Sequence, residues 1–133
     1  MRIYVAGSSK ELERVKACSA ELEIAGHEVV STWWRDVEVE GCGNPTLLEK
    51  RIHFAQKDLS EIDRCGVLWL LVPVEGVSSH GAFLEYGYAL AKSKILISSG
   101  AQCRSIFLSL RLEFSTDHEV LVTYFGKERN SGE

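Results

Sequence analysis

Residues 67–74 have the sequence Val-Leu-Trp-Leu-Leu-Val-Pro-Val, which is the longest apolar run in the chain. The run is too short to cross a bilayer, which takes about 20 residues in a helix. An apolar run of this length, closed by Pro73, is typical of a strand that is buried on both faces of a sheet. The stretch therefore predicts a central strand over 67–72.

Short strands and amphipathic helices alternate on both sides of this run. Strands are predicted at 2–6, 27–31, 67–72, 95–98 and 112–114, helices at 8–25, 46–62, 79–92 and from 116 or 117 onward, and a polar loop at 36–45. Such an alternation predicts an α/β, flavodoxin/Rossmann-like three-layer fold with a five-stranded, mainly parallel sheet. We expect residues 1–126 to form a single domain and residues 127–133 to form a disordered tail.

Composition narrows the classes of partner. The chain has 133 residues, a net charge of −4 and a sequence pI of about 5.6. Proteins that bind DNA or RNA through their charge are usually basic, so neither a polymeric nucleic acid nor a membrane is an expected partner. The four cysteines form no C-x-x-C pair and follow no visible secretory signal, which indicates reduced thiols in a cytoplasmic protein.

The loops that follow the strands are the expected place for a ligand. Parallel strands all end at one edge of the sheet, and ligands bind outside that edge, near the point where the strand order reverses. The first loop, Gly7-Ser8-Ser9-Lys10, leads into a helix whose free N–H groups favour an anion. The alternative is that Ser8 only caps this helix and that Lys10 is an ordinary surface residue.

Glu85 is the candidate for chemistry in the helix at 79–92. It is the only acid in that helix and has apolar and aromatic neighbours along the chain. A buried carboxylate is costly and indicates a function, whereas the periodicity is equally compatible with an exposed helix glutamate. Gly87, in mid-helix, indicates close approach by a backbone or a ligand.

Asp58 is a second acid of interest, on the helix at 46–62. It lies beside the apolar stripe of that helix, near its carboxyl end. Because the helix leads into the strand at 67–72, this end should lie away from the ligand edge. Asp58 reaches a site there only if the earlier half of the helix leans over the edge, which the sequence leaves open.

Metal and serine-triad chemistry find no support in the sequence. The four histidines show no metal-ligand spacing, and neither H-E-x-x-H nor G-x-S-x-G occurs. We expect no metal and no cofactor.

Four segments carry a resemblance to a known family. They are Tyr4-Val-Ala-Gly7-Ser8-Ser-Lys10, Asp58-Leu59 followed by Ile62-Asp63-Arg-Cys-Gly-Val67, Ser79-x-Gly81-x-x-x-Glu85-x-Gly87-x-Ala89, and Ser105-Ile-Phe107. In this order they resemble the nucleoside 2-deoxyribosyltransferase superfamily, especially its 2′-deoxynucleoside 5′-monophosphate N-hydrolase branch. The likeness spans residues 4–107.

The resemblance implies roles for three catalytic residues. Glu85 would be the nucleophile at the anomeric carbon, which develops oxocarbenium character as the base leaves. Asp58 would be the acid that contacts the base and helps to protonate it. Tyr4 would be the phenol that orients Glu85. The implied reaction is hydrolysis of a nucleoside 5′-monophosphate to free base and (deoxy)ribose 5-phosphate.

The resemblance also implies a phosphate site and a homodimer or higher homo-oligomer. The residues that would surround the 5′-phosphate are Gly7, Ser8, Lys10, Ser79 and Gly81. Ser105 and Phe107 would lie near the site of the neighbouring subunit. Either Trp33 or Trp34 could stack on the base, and the alternative is that both belong to the core.

Position 79 distinguishes branches of this superfamily. The nucleoside transferases resemble one another in carrying an acid there, which accepts a hydrogen bond from a free 5′-hydroxyl and would repel a phosphate. Ser79 can donate to a phosphate, which favours a monophosphate substrate. Lys10 departs from the hydrolase branch, which has arginine there, and loses the two-pronged hydrogen bond. Base exchange between deoxynucleosides and a non-catalytic nucleotide-binding or sensing module stay open as alternatives.

Overall fold

The strands form one parallel sheet in the computed structural model, which describes residues 1–100, 106–110 and 112–126. They are β1 (Arg2–Ala6), β2 (Glu28–Val29), β3 (Val67–Leu71), β4 (Ile95–Ser99) and β5 (Leu112–Phe114), in the spatial order β2-β1-β3-β4-β5. Every pair of neighbours is parallel. The predicted α/β fold with five strands is confirmed, and β3 is its central, fully buried strand.

Helices follow the strands as predicted at most positions. They are α1 (Leu12–Ile24), preceded by a 3₁₀ turn at Ser9–Glu11, α2 (Trp33–Glu40), α3 (Leu48–Arg64), α4 (His80–Ala91) and α5 (Asp117–Glu119), which continues as a π-helix over Val120–Phe125. A further 3₁₀ helix covers Ile106–Leu110. Within the described ranges, none of the helices is long and apolar enough to cross a membrane. The tail predicted at 127–133 lies outside the described residues.

The polar loop predicted at 36–45 is wrong in its first half, because α2 continues to Glu40. The acids that make this segment resemble a loop each pair with a lysine of a neighbouring helix: Asp36 with Lys57, Glu38 with Lys16, and Glu40 with Lys50. Gly41 then ends the helix in the left-handed conformation, at φ 76°, and its N–H donates to the Val37 carbonyl at 2.8 Å.

The strand predicted at 27–31 is also shorter than expected. The Val30 N–H still donates to the Ile3 carbonyl at 2.9 Å, beyond the end of β2. At Ser31, however, it is the side-chain oxygen that accepts from the Val5 N–H, at 3.0 Å. A side chain thus replaces the backbone ladder at Ser31, and the chain turns away from the sheet there.

A polar network fastens the carboxyl ends of β3 and β4 to α1. Arg14 donates to Asp117 at 2.7 and 2.9 Å and to the Val72 carbonyl at 2.6 Å. Ser99 donates to Asp117 at 2.6 Å and accepts from Trp69 at 2.8 Å. Burial opposes the charge of Asp117, but hydrogen bonds from Arg14 and Ser99 outweigh it and lower the pKa of that carboxyl. The strand ends that border the ligand edge are therefore held in register.

Candidate active site

A cavity of about 880 Å³ opens at the carboxyl edge of the sheet, where ligands bind in parallel α/β folds. Its walls come from the loop after β1, the start of α2, the loop after α2, one face of α3 and the start of α4. The sequence-predicted residues that line it are Gly7, Ser8, Lys10, Trp33, Asp58, Ser79, Gly81 and Glu85. The fold thus gathers residues from four separate segments around one space.

Glu85 projects from α4 into this cavity and is held by Tyr4 of β1. The Tyr4 hydroxyl donates to Glu85 Oε2 at 2.5 Å, and Tyr4 itself is fully buried. Burial, together with the charges of Asp58 and Glu61, raises the pKa of Glu85 to about 8, although the bond from Tyr4 acts the other way. Burial and the nearby Glu85 also raise the pKa of Tyr4, so the phenol remains a donor.

The helix pattern explains why Glu85 faces inward. Ala82, Tyr86 and Ala89 form the buried stripe of α4, and Glu85 flanks that stripe on the side of the cavity. A Cβ added at Gly87 would meet no atom within 4 Å among the described residues, so no backbone of this chain approaches Gly87 closely, and approach by a ligand stays a prediction. An added Cβ at Gly81 would likewise find open space, on the cavity side.

Asp58 reaches the same cavity, which answers the question that the sequence left open. The 17 residues of α3 make a rod about 25 Å long, and Asp58 lies about 9 Å before its carboxyl end. This part of α3 lines the cavity that also holds Glu85, and among the described residues the buried Oδ1 of Asp58 has no hydrogen-bond partner. Burial, and then the charge of Glu61, raise the pKa of Asp58 to about 7. A proton can therefore reside on this carboxyl near neutral pH.

One end of the cavity, formed by the loop after β1 and the start of α4, is rich in hydrogen-bond donors. Ser8 accepts from the Lys10 N–H at 3.2 Å and donates to the Ser78 carbonyl at 3.0 Å, so its hydroxyl serves as a cap and joins two loops. The hydroxyl of Ser79 is buried and has no partner among the residues that the structure describes. Lys10 is exposed, and His80, which the sequence interpretation missed, also lines this end. These groups, at the start of α4, can accommodate an anion.

The two tryptophans have different positions. Trp33 is only 8% exposed, donates its indole N–H to the Val5 carbonyl at 2.8 Å, and presents part of its ring to the cavity. Trp34 lies outside the cavity lining, with the Arg35 guanidinium 4.8 Å from its ring centre. Of the two predicted base contacts, the geometry therefore brings only Trp33 to the cavity.

Glu61 is the acidic neighbour that the sequence interpretation missed. It lies one turn after Asp58 on α3, is 4% exposed, and accepts from the Thr32 N–H and hydroxyl at 2.9 and 2.6 Å. The i, i+3 spacing of two acids beside an apolar stripe was the available signal. Within the described residues, no three His, Cys, Asp or Glu side chains form a cluster that could hold a metal ion.

Ser105 lies outside the described residues, so its predicted position cannot be compared with the structure. Phe107, its neighbour in the same motif, is 60% exposed, and its carbonyl accepts from the Tyr86 hydroxyl at 3.1 Å.

Solved structures of other proteins share this fold. A 2-deoxyribosyltransferase from the psychrotolerant bacterium Bacillus psychrosaccharolyticus has a TM-score of 0.76 and 18% identity, over 96% of this chain and 95% of that one. The CMP N-glycosidase of Clostridium botulinum has a TM-score of 0.61 and 21% identity, over 91% of this chain and 95% of that one. No protein-family model and no curated sequence matches the chain. At these identities the likeness shows the fold, in agreement with the resemblance in the four sequence segments.

Proposed function

We propose that the protein is an enzyme that cleaves the N-glycosidic bond of a nucleoside 5′-monophosphate by hydrolysis. The observation that carries the proposal is the Tyr4–Glu85 hydrogen bond, which aims a half-buried carboxylate into a cavity that Asp58 also lines. A carboxylate aimed by a phenol, opposite a carboxyl that can be protonated, is an arrangement suited to glycoside cleavage. The two solved structures of the same fold, a 2-deoxyribosyltransferase and a CMP N-glycosidase, support this class of chemistry.

The reaction divides into two displacements at the anomeric carbon. Glu85 forms a bond to C1′ as the C1′–N bond breaks, and Asp58 donates its proton to the departing base. Asp58, now a carboxylate, then removes a proton from a water molecule, which attacks C1′ and releases Glu85. Near neutral pH a shared proton prefers Glu85, whose pKa is about 8, over Asp58, whose pKa is about 7, so the productive form, with Glu85 ionised and Asp58 protonated, is the less populated arrangement of that proton.

A 5′-phosphate fits the donor-rich end of the cavity. Within the described part of the chain the buried hydroxyl of Ser79 has no partner, and a phosphate oxygen would give it one. Lys10 adds a positive charge at the same end of the cavity. The products would be free base and (deoxy)ribose 5-phosphate.

A panel of nucleoside monophosphates and nucleosides tests the reaction by measuring released base. Adding a second free base separates the two related activities, since a transferase would attach that base and a hydrolase would not. Failure to release base from any member of the panel, with the protein folded, contradicts the proposal.

Ser79→Asp is expected to lower kcat/KM for a nucleoside monophosphate by about 100-fold, because a carboxylate at this end repels the phosphate. The matching nucleoside should be affected far less. Ser60→Asp introduces the same charge on the exposed face of α3 and serves as the control. Equal losses on nucleotide and nucleoside would show that position 79 does not contact the phosphate.

We propose in addition that the protein is a homodimer. Three large apolar side chains are well exposed, Leu84 by 67%, Ile106 by 78% and Phe107 by 60%. A second copy of the chain could cover them. Light scattering is expected to give twice the chain mass of 14.8 kDa, and Phe107→Glu to give the single mass. A single-chain mass for the wild type at the concentration of the assay contradicts this proposal.

A further inference from the structure

Glu61 is a buried acid that the proposed reaction does not use directly. Its carboxylate accepts both donors of Thr32, the residue immediately before α2. The carboxylate lies at the start of α2, where a helix favours a negative charge. A charge this well enclosed affects its neighbours strongly, because little water screens it.

The bond between Glu61 and Thr32 is one of three polar contacts along the seam between α2 and α3. The contacts are Thr32 with Glu61, Asp36 with Lys57, and Glu40 with Lys50. The α2 residues are spaced one helical turn apart, and the partners run backwards along α3, as in an antiparallel pair. This seam fixes Trp33 and Asp58, which both line the cavity.

Of the charged groups in this seam, Glu61 acts on Asp58, Glu85 and Tyr4 alike. Besides burial, Glu61 is the strongest influence raising the pKa of Asp58, with Asp36 adding to it and Lys57 opposing it. Lys57 and Asp36 are paired with each other, so their effects on Asp58 partly cancel. The charge of Glu61 also raises the pKa of Glu85, which lies on α4, and the pKa of Tyr4, which lies on β1. Among the described residues, these two are the other titratable groups on which it acts.

We propose that Glu61 is a positioning residue, whose buried carboxylate holds the start of α2 against α3 through Thr32 and places a negative charge one helical turn from Asp58. This inference rests on the proposed function, in which Asp58 donates a proton to the leaving base. Removal of the Glu61 charge should let Asp58 release its proton at lower pH. The pKa of Glu85 should fall as well.

Glu61→Gln tests the proposal, since the amide keeps the shape and can still bond Thr32. In NMR titrations of protein labelled at the aspartate carboxyl carbons, with Asp58→Asn to assign the signal, we expect the Asp58 midpoint to fall by about one pH unit. The kcat/KM profile for base release should shift to lower pH by a similar amount. Glu61→Asp, which keeps the charge, should leave the Asp58 midpoint and the pH profile of kcat/KM nearer to those of the wild type.

Glu40→Gln is the matched control, because it removes a carboxylate from the same seam at its far end. An unchanged Asp58 midpoint in Glu61→Gln, or an equal shift in Glu40→Gln, overturns the proposal. If Glu61→Gln does not fold, Thr32→Val removes one donor and leaves the Glu61 charge less neutralised, so the Asp58 midpoint should rise slightly, and an unchanged or lower midpoint there overturns the proposal. The NMR titration can be carried out on a protein that shows no turnover. If the wild type releases no base, the proposed function is contradicted, but the titration still tests the role of Glu61.

Discussion

Glu85→Gln is expected to lower kcat for base release by about 10,000-fold, while nucleotide affinity stays within a few-fold of wild type. Glutamine preserves the shape of the side chain and can still accept from Tyr4, but its amide oxygen is too weak a nucleophile to trap the anomeric carbon. Neither Asp58 nor a bulk water molecule can replace Glu85 on the same face of the sugar. Single-turnover base release and calorimetric titration with the nucleotide give the two quantities.

Glu23→Gln provides the matched control, because Glu23 lies on an exposed face of α1 and is not among the residues that line the cavity. Its turnover should equal that of the wild type. The variant pair also separates the enzyme from a nucleotide-sensing module, for which Glu85 would be dispensable. Turnover that survives in Glu85→Gln at more than a few percent rules out the nucleophile role.

The core of the fold could be predicted from local patterns. An uninterrupted apolar run predicts β3 because a strand buried on both faces has no polar side to show. Alternation with amphipathic helices then predicts the parallel sheet. The predicted loop at 36–45 was wrong at α2, because the acids that suggest a loop are neutralised there by lysines from other helices. Such ion pairs join residues distant in the chain, and single-sequence patterns contain no signal for them.

The sequence predicted which residues belong to the candidate site better than it predicted how they are arranged in space. The family resemblance implied Glu85, Tyr4 and Asp58, but the position of Asp58 depends on how α3 packs over the sheet, which local patterns do not contain. The helix predicted at 46–62 began and ended within two residues of α3, so its bounds were predictable although its packing was not. Glu61 was missed for another reason, since its partner Thr32 is 29 residues earlier in the chain.

The same Glu85→Gln variant is expected to be more stable than the wild type at alkaline pH. Burial raises the pKa of Glu85 from 4.5 to about 8, so the folded protein holds a proton that the unfolded chain releases above about pH 4.5. The free energy of unfolding of the wild type should therefore fall as the pH rises from about 4.5 to 8. Glutamine has no proton to lose, and the difference should reach the order of 3 kcal/mol at pH 9.

Denaturant titrations of both proteins at pH 5, 7 and 9 measure this difference. At pH 5 the carboxyl of Glu85 is protonated in the folded wild type, so the two unfolding free energies should nearly coincide. Glu23→Gln, an exposed neutral replacement, should show no difference at any of these pH values. A Glu85→Gln variant that matches the wild type at pH 9 would mean that Glu85 ionises in the folded state without cost. A carboxylate that is costly to ionise in the folded protein and yet indispensable for turnover is one retained for chemistry at the expense of stability.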